Sequence, residues 1–389
     1  MRCRLVPLVA AVLTGLAVCT GCFLRTETIT IGRDGAVTME VKFEGSAEEH
    51  ETFDALPTRQ SGWEVLESFR MEEGEKKYTV ESSRRFGPDE ELPSGYAAAA
   101  DPDADLVLEF PTSVRVEERR DGRYFFFRRV YAPRKWAYIQ HWQDVFFDSD
   151  MKRLGEKPVE ELTREQRRKI IQAFGSVEAH KQLEFARAAL AEIHLNVPIE
   201  HRLMARESLL HVYRGCGFLA GDHSAKGSGE ELLAPVGPSA DGTSDYLDRL
   251  IERCDSQDDV GDCYDTEATR LLDEARGAFV LSLRDEARLG GVGLAHFTEA
   301  YQRAERYHAI TEQVGAHQFE ITVSVPGTII AHNADEIEAG ADEGAGQSAA
   351  TWRFDGSAFR DRPHELVVVS RLTPAEEASL GSAVHGDDR

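Results

Sequence analysis

Apolar and polar residues alternate at every second position near both ends of this chain, whereas its middle shows apolar spacings of three and four. Period two predicts β-strands, and steps of three and four predict α-helices. The order of these segments predicts an α+β fold. We expect an antiparallel β-sheet domain built from N- and C-terminal strands, with an inserted α-helical bundle.

Three hairpins are predicted near the N-terminus, each with a turn sequence between two alternating runs. The paired runs are 29–31 with 37–43, 63–70 with 76–86, and 106–119 with 123–131. The last pair surrounds Asp121-Gly122, a strong hairpin turn. Strand character returns at 319–325, 351–354 and 366–369. We expect all these strands to form one sheet.

The run 123–131 is apolar on both of its faces. The two sets are Tyr124, Phe126 and Val130 on one side, and Phe125, Phe127 and Tyr131 on the other. A strand with two apolar faces needs a covering layer on each side. We expect the helical middle, 134–316, to cover the second face.

Helix signals in that middle begin with Thr163-Arg164-Glu165-Gln166, which has the spacing of a capping box. Gly175-Ser176 is expected to break the following helix and restart it. Another helix is predicted from about Glu200 to Gly215, after Pro198.

The N-terminus has the pattern of an export signal. Arg2 and Arg4 precede an apolar run from Leu5 to Val18, and Thr20-Gly21 precede Cys22. The small residues before a cysteine resemble the bacterial lipobox, although Cys19 stands where leucine is usual. The resemblance implies a lipoprotein cut before Cys22, with a lipid anchor that includes palmitate on that residue. Ordinary secretion and an uncleaved anchor over roughly 20 apolar residues are the alternatives.

An exported chain meets an oxidising compartment, so Cys254 and Cys263 are predicted to form a disulfide across a polar turn. A continuous helix would hold residues nine apart at about 13.5 Å, so the pair requires a turn. Cys216 is then left as a thiol or as a link between two chains. A calcium site on the intervening carboxylates is the alternative for this turn, but Gly261 does not fit an EF-hand. We predict no metal and no cofactor.

The formal net charge is −24, and it becomes −26 once Arg2 and Arg4 leave with the signal. This surplus excludes nucleic acid as an expected partner. A basic patch interrupts the acidic background, and we predict contact with a membrane or polyanion at Arg119, Arg120, Arg123, Arg128 and Arg129. The alternative is that these arginines line the solvent side of a hairpin and pair with Glu117, Glu118 and other carboxylates.

The C-terminal part shows a second resemblance. It rests on Val325-Pro326-Gly327, Asn333 and Thr351-Trp352-Arg353-Phe354. These residues are similar to the end of the LppM-like domain of bacterial lipoproteins. The resemblance covers about 50 residues and implies an envelope β-domain, without any catalytic residue.

The expected domain boundaries follow from these signals. They are a signal peptide at 1–21, an N-terminal β part at 22–133, a helical insertion at 134–316, a C-terminal β part at 317–373 and a flexible tail at 374–389.

The chain lacks the G-x-S-x-G and H-E-x-x-H motifs of common hydrolases. We therefore expect a lipid-anchored envelope protein that faces the periplasm or the exterior and binds or scaffolds without catalysis. Its partners would be the membrane, through the anchor, and an envelope protein or wall polymer. The alternative is an envelope hydrolase whose active site is assembled from residues distant in sequence.

The lipid anchor is directly testable. Mass spectrometry of the N-terminal peptide from the native protein should find Cys22 as its first residue, with the added mass of acyl chains. An unmodified peptide that begins at Met1 would contradict the predicted anchor and the localisation that depends on it.

Overall fold

The computed structural model of the chain describes residues 24–46, 55–72, 75–96, 106–147, 149–155, 157, 161–193, 197–219, 245–255, 260–286, 290–339 and 346–375. The predicted signal peptide, including Cys22, lies outside these residues. The described residues fall into two compact units. Residues within 137–306 form a helical unit, and residues within 21–136 and 307–389 form a β unit. The α+β class is confirmed.

The β unit contains eleven strands among the described residues. They are β1 Leu24–Ile31, β2 Val37–Ser46, β3 Glu64–Glu72, β4 Glu75–Phe86, β5 Thr112–Arg119, β6 Gly122–Tyr131, β7 Gln318–Pro326, β8 Thr328–His332, β9 Glu336–Glu338, β10 Gln347–Asp355 and β11 His364–Leu372. The hairpins β1–β2, β3–β4 and β5–β6 match the predicted paired runs.

The strands form two sheets rather than the single sheet expected from the sequence. A seven-stranded sheet has the order β3-β4-β2-β1-β7-β10-β9, and a four-stranded sheet has the order β5-β6-β11-β8. Each sheet joins strands from before and after the helices. The β1–β7 pair is parallel. Parallel neighbours need a long crossover connection, and the chain between β1 and β7, which includes the helices, is long enough to provide it.

The two sheets share one hydrophobic core. Alternate residues of β1, including Ile29 and Ile31, are buried in it, as the period-two pattern requires. The ring of Tyr131 on β6 lies 5.8 Å from that of Phe319 on β7, which joins the four-stranded sheet to the seven-stranded one. The odd-numbered apolar face of β6 therefore packs against the other sheet.

The helical unit contains seven helices among the described residues, the last of which continues into the β unit. They are α1 Ala137–Phe146, α2 Ser149–Gly155, α3 Arg164–Glu192, α4 Ile199–Gly215, α5 Asp245–Asp255, α6 Val260–Glu286 and α7 Gly291–Ala316. The predicted capping box is present at the start of α3, where Thr163 and Gln166 exchange hydrogen bonds.

The expected break at Gly175-Ser176 is wrong, since α3 is continuous through both residues. A Cβ atom on Gly175 would collide with the ring of Phe218. The glycine therefore permits a close approach of Phe218 instead of ending the helix.

The disulfide between Cys254 and Cys263 is present and joins the end of α5 to the start of α6, with a Cα–Cα distance of 5.4 Å. The residues between the two helices, 256–259, lie outside the described part of the chain. The alternative of a calcium site concerns this turn and therefore stays a prediction. Cys216 is buried, with 8% of its surface exposed, and burial raises the pKa of its thiol to about 11. Such a thiol is poorly placed to link two chains.

The fold predicts the effect of removing the C-terminal strands. A chain that ends at Ala316 loses β7 and β11, the partners of β1 and β6, so the β unit should lose cooperative unfolding. Amide hydrogen exchange of 37–43 should report it as lost protection. A chain that ends at Thr373 is the matched control and should keep protection. Unchanged protection in the shorter chain would contradict this architecture.

Candidate functional site

The predicted contact residues lie on the arginine hairpin, which is the β5–β6 pair over residues 112–131. Its turn depends on Gly122, which has φ = 141° and lies so close to the backbone of Leu372 that a Cβ atom there would collide. The turn places Arg119, Arg120 and Arg123 at one end of the hairpin.

Three of the five predicted arginines form ion pairs near the surface. Arg119 pairs with Glu117 and Arg123 with Glu118, each at 2.5 Å, and Arg128 pairs with Glu365 on β11. Arg120 is exposed at the turn. The pairing with Glu117 and Glu118 is the arrangement named as the alternative in the sequence interpretation. Exposed ion pairs of this kind stabilise a fold little.

Arginine side chains cover the outer, even-numbered face of β6. The guanidinium of Arg119 lies 4.5 Å from the ring centre of Tyr124, and that of Arg115 lies 4.5 Å from the ring centre of Phe126. Such contacts combine cation–π attraction with burial of the arginine stems. Within the β unit, these guanidiniums lie over the even-numbered apolar face. The expectation that the helical middle covers the second face stays a prediction.

Arg129 does not belong to the exposed set, so its assignment as a membrane or polyanion contact is corrected. Its side chain is fully buried and pairs with Glu27 of β1 at 2.5 Å, while Arg25 pairs with the other oxygen of Glu27, also at 2.5 Å. We call Arg25, Glu27 and Arg129 the ion cluster. Arg129 also donates a hydrogen bond to the hydroxyl of Thr112.

The ion cluster holds Glu27 in its charged form. Burial by itself raises the pKa of a carboxyl, but the charges of Arg129 and Arg25 outweigh this effect and lower the pKa of Glu27 to about 2. The rings of Tyr96 and Phe110 lie 4.6 and 4.8 Å from the Arg25 guanidinium. The cluster is thus a structural ion network inside an aromatic shell.

The ion cluster could have been found by extending the β1 alternation toward the N-terminus. Arg25 and Glu27 occupy the same row as Ile29 and Ile31, so opposite charges two residues apart face the core. By the same rule Arg129 shares the inner row of Phe127 and Tyr131. Arg129 was assigned to the basic patch by its charge alone, although its position in the alternation puts it on the buried face of β6.

The contacts of β6 fix the end of the β unit at which the arginine hairpin turns. Arg123 donates a hydrogen bond to the carbonyl of Arg33, in the β1–β2 turn, whereas Arg129 reaches Glu27 near the start of β1. The arginine turn is therefore at the opposite end from Leu24. Seven residue steps along β1, from Leu24 to Ile31, span about 23 Å.

Displaced pKa values also occur in the helical unit. Burial raises the pKa of Glu305 to about 7, although Arg276 lies 2.9 Å away and opposes the shift. Burial lowers the pKa of His180 to about 4, and its ring centre lies 4.2 Å from that of Trp142. Both groups sit within packed helices.

A groove of about 560 Å³ lies on the outer face of the seven-stranded sheet. Its lining includes Thr26, Thr28, Glu40, Lys42, Leu66 and Glu81. Glu27, Glu305 and His180 do not line it. This groove therefore does not bring these three displaced groups together, and the hydrolase alternative stays a prediction.

Two features are absent from the described residues: a metal-binding cluster and a membrane-spanning helix. These residues contain no group of three or more His, Cys, Asp or Glu side chains that could hold a metal ion. No helix in the described ranges is long and apolar enough to cross a membrane.

Comparison with known proteins gives one likeness. No family model matches the chain, and no curated protein matches it. Among solved structures, the NMR structure of the folded domain of the Mycobacterium tuberculosis LppM protein aligns with 92% of this chain and 94% of that domain, at 10% identity and a TM-score of 0.24. A TM-score this low carries no conclusion about fold or function.

The ion cluster yields a stability prediction. Glu27→Gln leaves the charges of Arg25 and Arg129 buried without a carboxylate, so the free energy of unfolding should fall by about 3–5 kcal/mol. Urea denaturation measures this change. Glu117→Gln, which removes an exposed pair of the arginine hairpin, is the control and should change stability little.

The same carboxylate predicts an acid dependence. The folded-state pKa of Glu27, about 2, lies below its ordinary value of 4.5, so its contribution is present above about pH 4.5 and is lost as the pH falls toward 2. Glu27→Gln should remove this part of the pH dependence. A mutant whose stability follows the same acid profile as the wild type would contradict the assignment.

Proposed function

We propose that this protein is a lipid-anchored cell-envelope protein with a non-catalytic binding role, and that the end of the arginine hairpin binds an acidic polymer. The lipobox-like sequence before Cys22 supports the anchor and a location facing the periplasm or the exterior. The position of the arginine turn, opposite Leu24, carries the proposal for the partner.

The anchor and the arginine turn are separated along the β unit. Only Phe23 stands between Cys22 and the first residue of β1, a reach of about 7 Å for two residues. A lipid on Cys22 therefore holds the Leu24 end near the membrane. The arginine turn, about 23 Å farther along β1, is then directed away from the lipid surface.

The two chain connections between the β unit and the helices lie at the Leu24 end of the β unit. The strand β6 ends at Tyr131 before the helices, and β7 begins at Gln318, level with Leu24. The ring of Tyr131 lies 5.8 Å from that of Phe319, so both connections belong to the Leu24 end of the β unit. The arginine turn carries neither connection.

The chemistry of this end favours a polyanion over lipid headgroups. Excluding the buried Arg129, residues 112–131 carry five arginines and three carboxylates, against a chain that is strongly acidic overall. Arginine offers a planar set of donors that matches carboxylate and phosphate groups. A local cationic surface on an acidic body selects extended acidic polymers that reach it without approaching the rest of the protein.

Binding can be measured with fluorescently labelled polygalacturonate and the mature protein in phosphatidylcholine nanodiscs. Arg119→Glu with Arg120→Glu should weaken binding at least fivefold at low salt, because two attractive charges become repulsive. Raising the salt concentration should weaken wild-type binding as well.

The matched control makes the same charge change at the other end of the β unit. Arg70→Glu with Lys77→Glu reverses a cross-strand basic pair of β3 and β4. This variant should bind the polymer like the wild type. Equal binding by the wild type and the Arg119/Arg120 variant would contradict the proposed polymer binding. These arginines would then only line the solvent side of the hairpin.

A further inference from the structure

A second surface of the β unit, at the edge strand β3, is apolar instead of basic. The edge strand β3 exposes three large apolar side chains: Leu66 at 64%, Phe69 at 61% and Met71 at 65% of their surface. They occupy both faces of the strand, since Leu66 is on even positions and Phe69 and Met71 are on odd ones. We call residues 66–72 of β3 together with residues 75–79 of β4 the apolar hairpin end.

Strand register places the apolar hairpin end at the same end of the sheet as Leu24, the first residue of β1. Leu24 pairs with Glu44, Glu44 pairs with Thr79, and Thr79 pairs with Ser68. Ser68 is therefore level with Leu24 across the seven-stranded sheet. Met71 lies three residues farther out, about 10 Å beyond that level, on the side at which β1 begins.

We propose that the apolar hairpin end lies in the surface of the lipid bilayer to which Cys22 is anchored. This inference rests on the proposed lipid anchor. A lipid two residues before Leu24 brings the membrane within about 7 Å of this end of the sheet, and Met71 extends about 10 Å beyond the level of Leu24. The exposed apolar side chains then leave water for the headgroup and acyl boundary.

The side chains around Phe69 suit an interfacial position. The Lys76 ammonium lies 4.1 Å from the ring centre of Phe69 and 4.5 Å from that of Tyr78. The apolar ring of Phe69 can then lie among the lipid chains while the neighbouring Lys76 ammonium stays with the headgroups.

Charge does not drive this contact. Residues 70–77 contain three basic and three acidic side chains, so the segment has no net charge. We expect the contact to persist at high salt, unlike the binding of a polymer by the arginine hairpin.

The test uses nitroxide labels on the mature lipidated protein in vesicles of three parts phosphatidylcholine and one part phosphatidylglycerol. Ser68→Cys labels the apolar hairpin end, and Arg120→Cys labels the arginine turn. The native cysteines should not take up the label, because Cys216 is buried and Cys254 and Cys263 are joined in a disulfide. The accessibility of each label to oxygen relative to a nickel complex reports its depth.

The ratio of oxygen to nickel accessibility should be at least threefold higher for the Ser68→Cys label than for the Arg120→Cys label, and 0.5 M salt should leave it unchanged. Adding Phe69→Ser and Met71→Ser should reduce the ratio to that of the Arg120→Cys label, while the protein still floats with the vesicles. Val292→Ser, which removes a side chain 72% exposed on α7, is the control and should have no effect.

Different failures have different meanings. Equal, water-like ratios at the two labels in floating protein would overturn the membrane contact and leave the anchor intact. Spin–spin broadening at the Ser68→Cys label would show that β3 pairs with a second copy, which also overturns it. Protein that does not float with vesicles would overturn the proposed anchor, and this inference with it.

Discussion

The β unit depends on an ion cluster in the core that its two sheets share. Glu27 comes from the seven-stranded sheet and Arg129 from the four-stranded one, so a single carboxylate joins both layers. Buried charges cost free energy unless they are paired with good geometry, and this core contains the pairing that makes the burial tolerable. A one-residue slip of β1 would turn Arg25 and Glu27 outward and Thr26 inward. Glu27 would then be separated from Arg129 on the other sheet.

This pairing also gives the β unit two chemically different ends. Because Arg129 meets Glu27 near the start of β1, β6 must run so that its arginine turn reaches the β1–β2 turn. The β3–β4 hairpin turns at the other end, since β4 is antiparallel to β2 and β3 to β4. An arginine-rich end and an apolar end are therefore consequences of register and strand order.

Sequence periodicity predicted the strands and helices well, because both patterns depend on local alternation. It failed where distant side chains decide the outcome. The outer face of β6 is apolar in sequence, but Arg115 and Arg119 cover its rings, and no local pattern shows that arginine stems can act as a covering layer. Gly175 is a second example, since the need for glycine at this position comes from the close approach of the distant Phe218 ring. The single expected sheet became two for the same reason.

The choice of arginine at Arg129 and Arg119 follows from the demands of each place. In the core, the guanidinium of Arg129 bonds both Glu27 and Thr112, and its delocalised charge is less costly to remove from water than that of an ammonium. On the outer face, the Arg119 guanidinium lies 4.5 Å from the ring centre of Tyr124 and still reaches Glu117. Lysine would supply the charge in both places but not the planar contact. The same residue type therefore closes the core on one face of β6 and leaves a donor-rich, partly exposed surface on the other, and it is the second property that suits an acidic polymer.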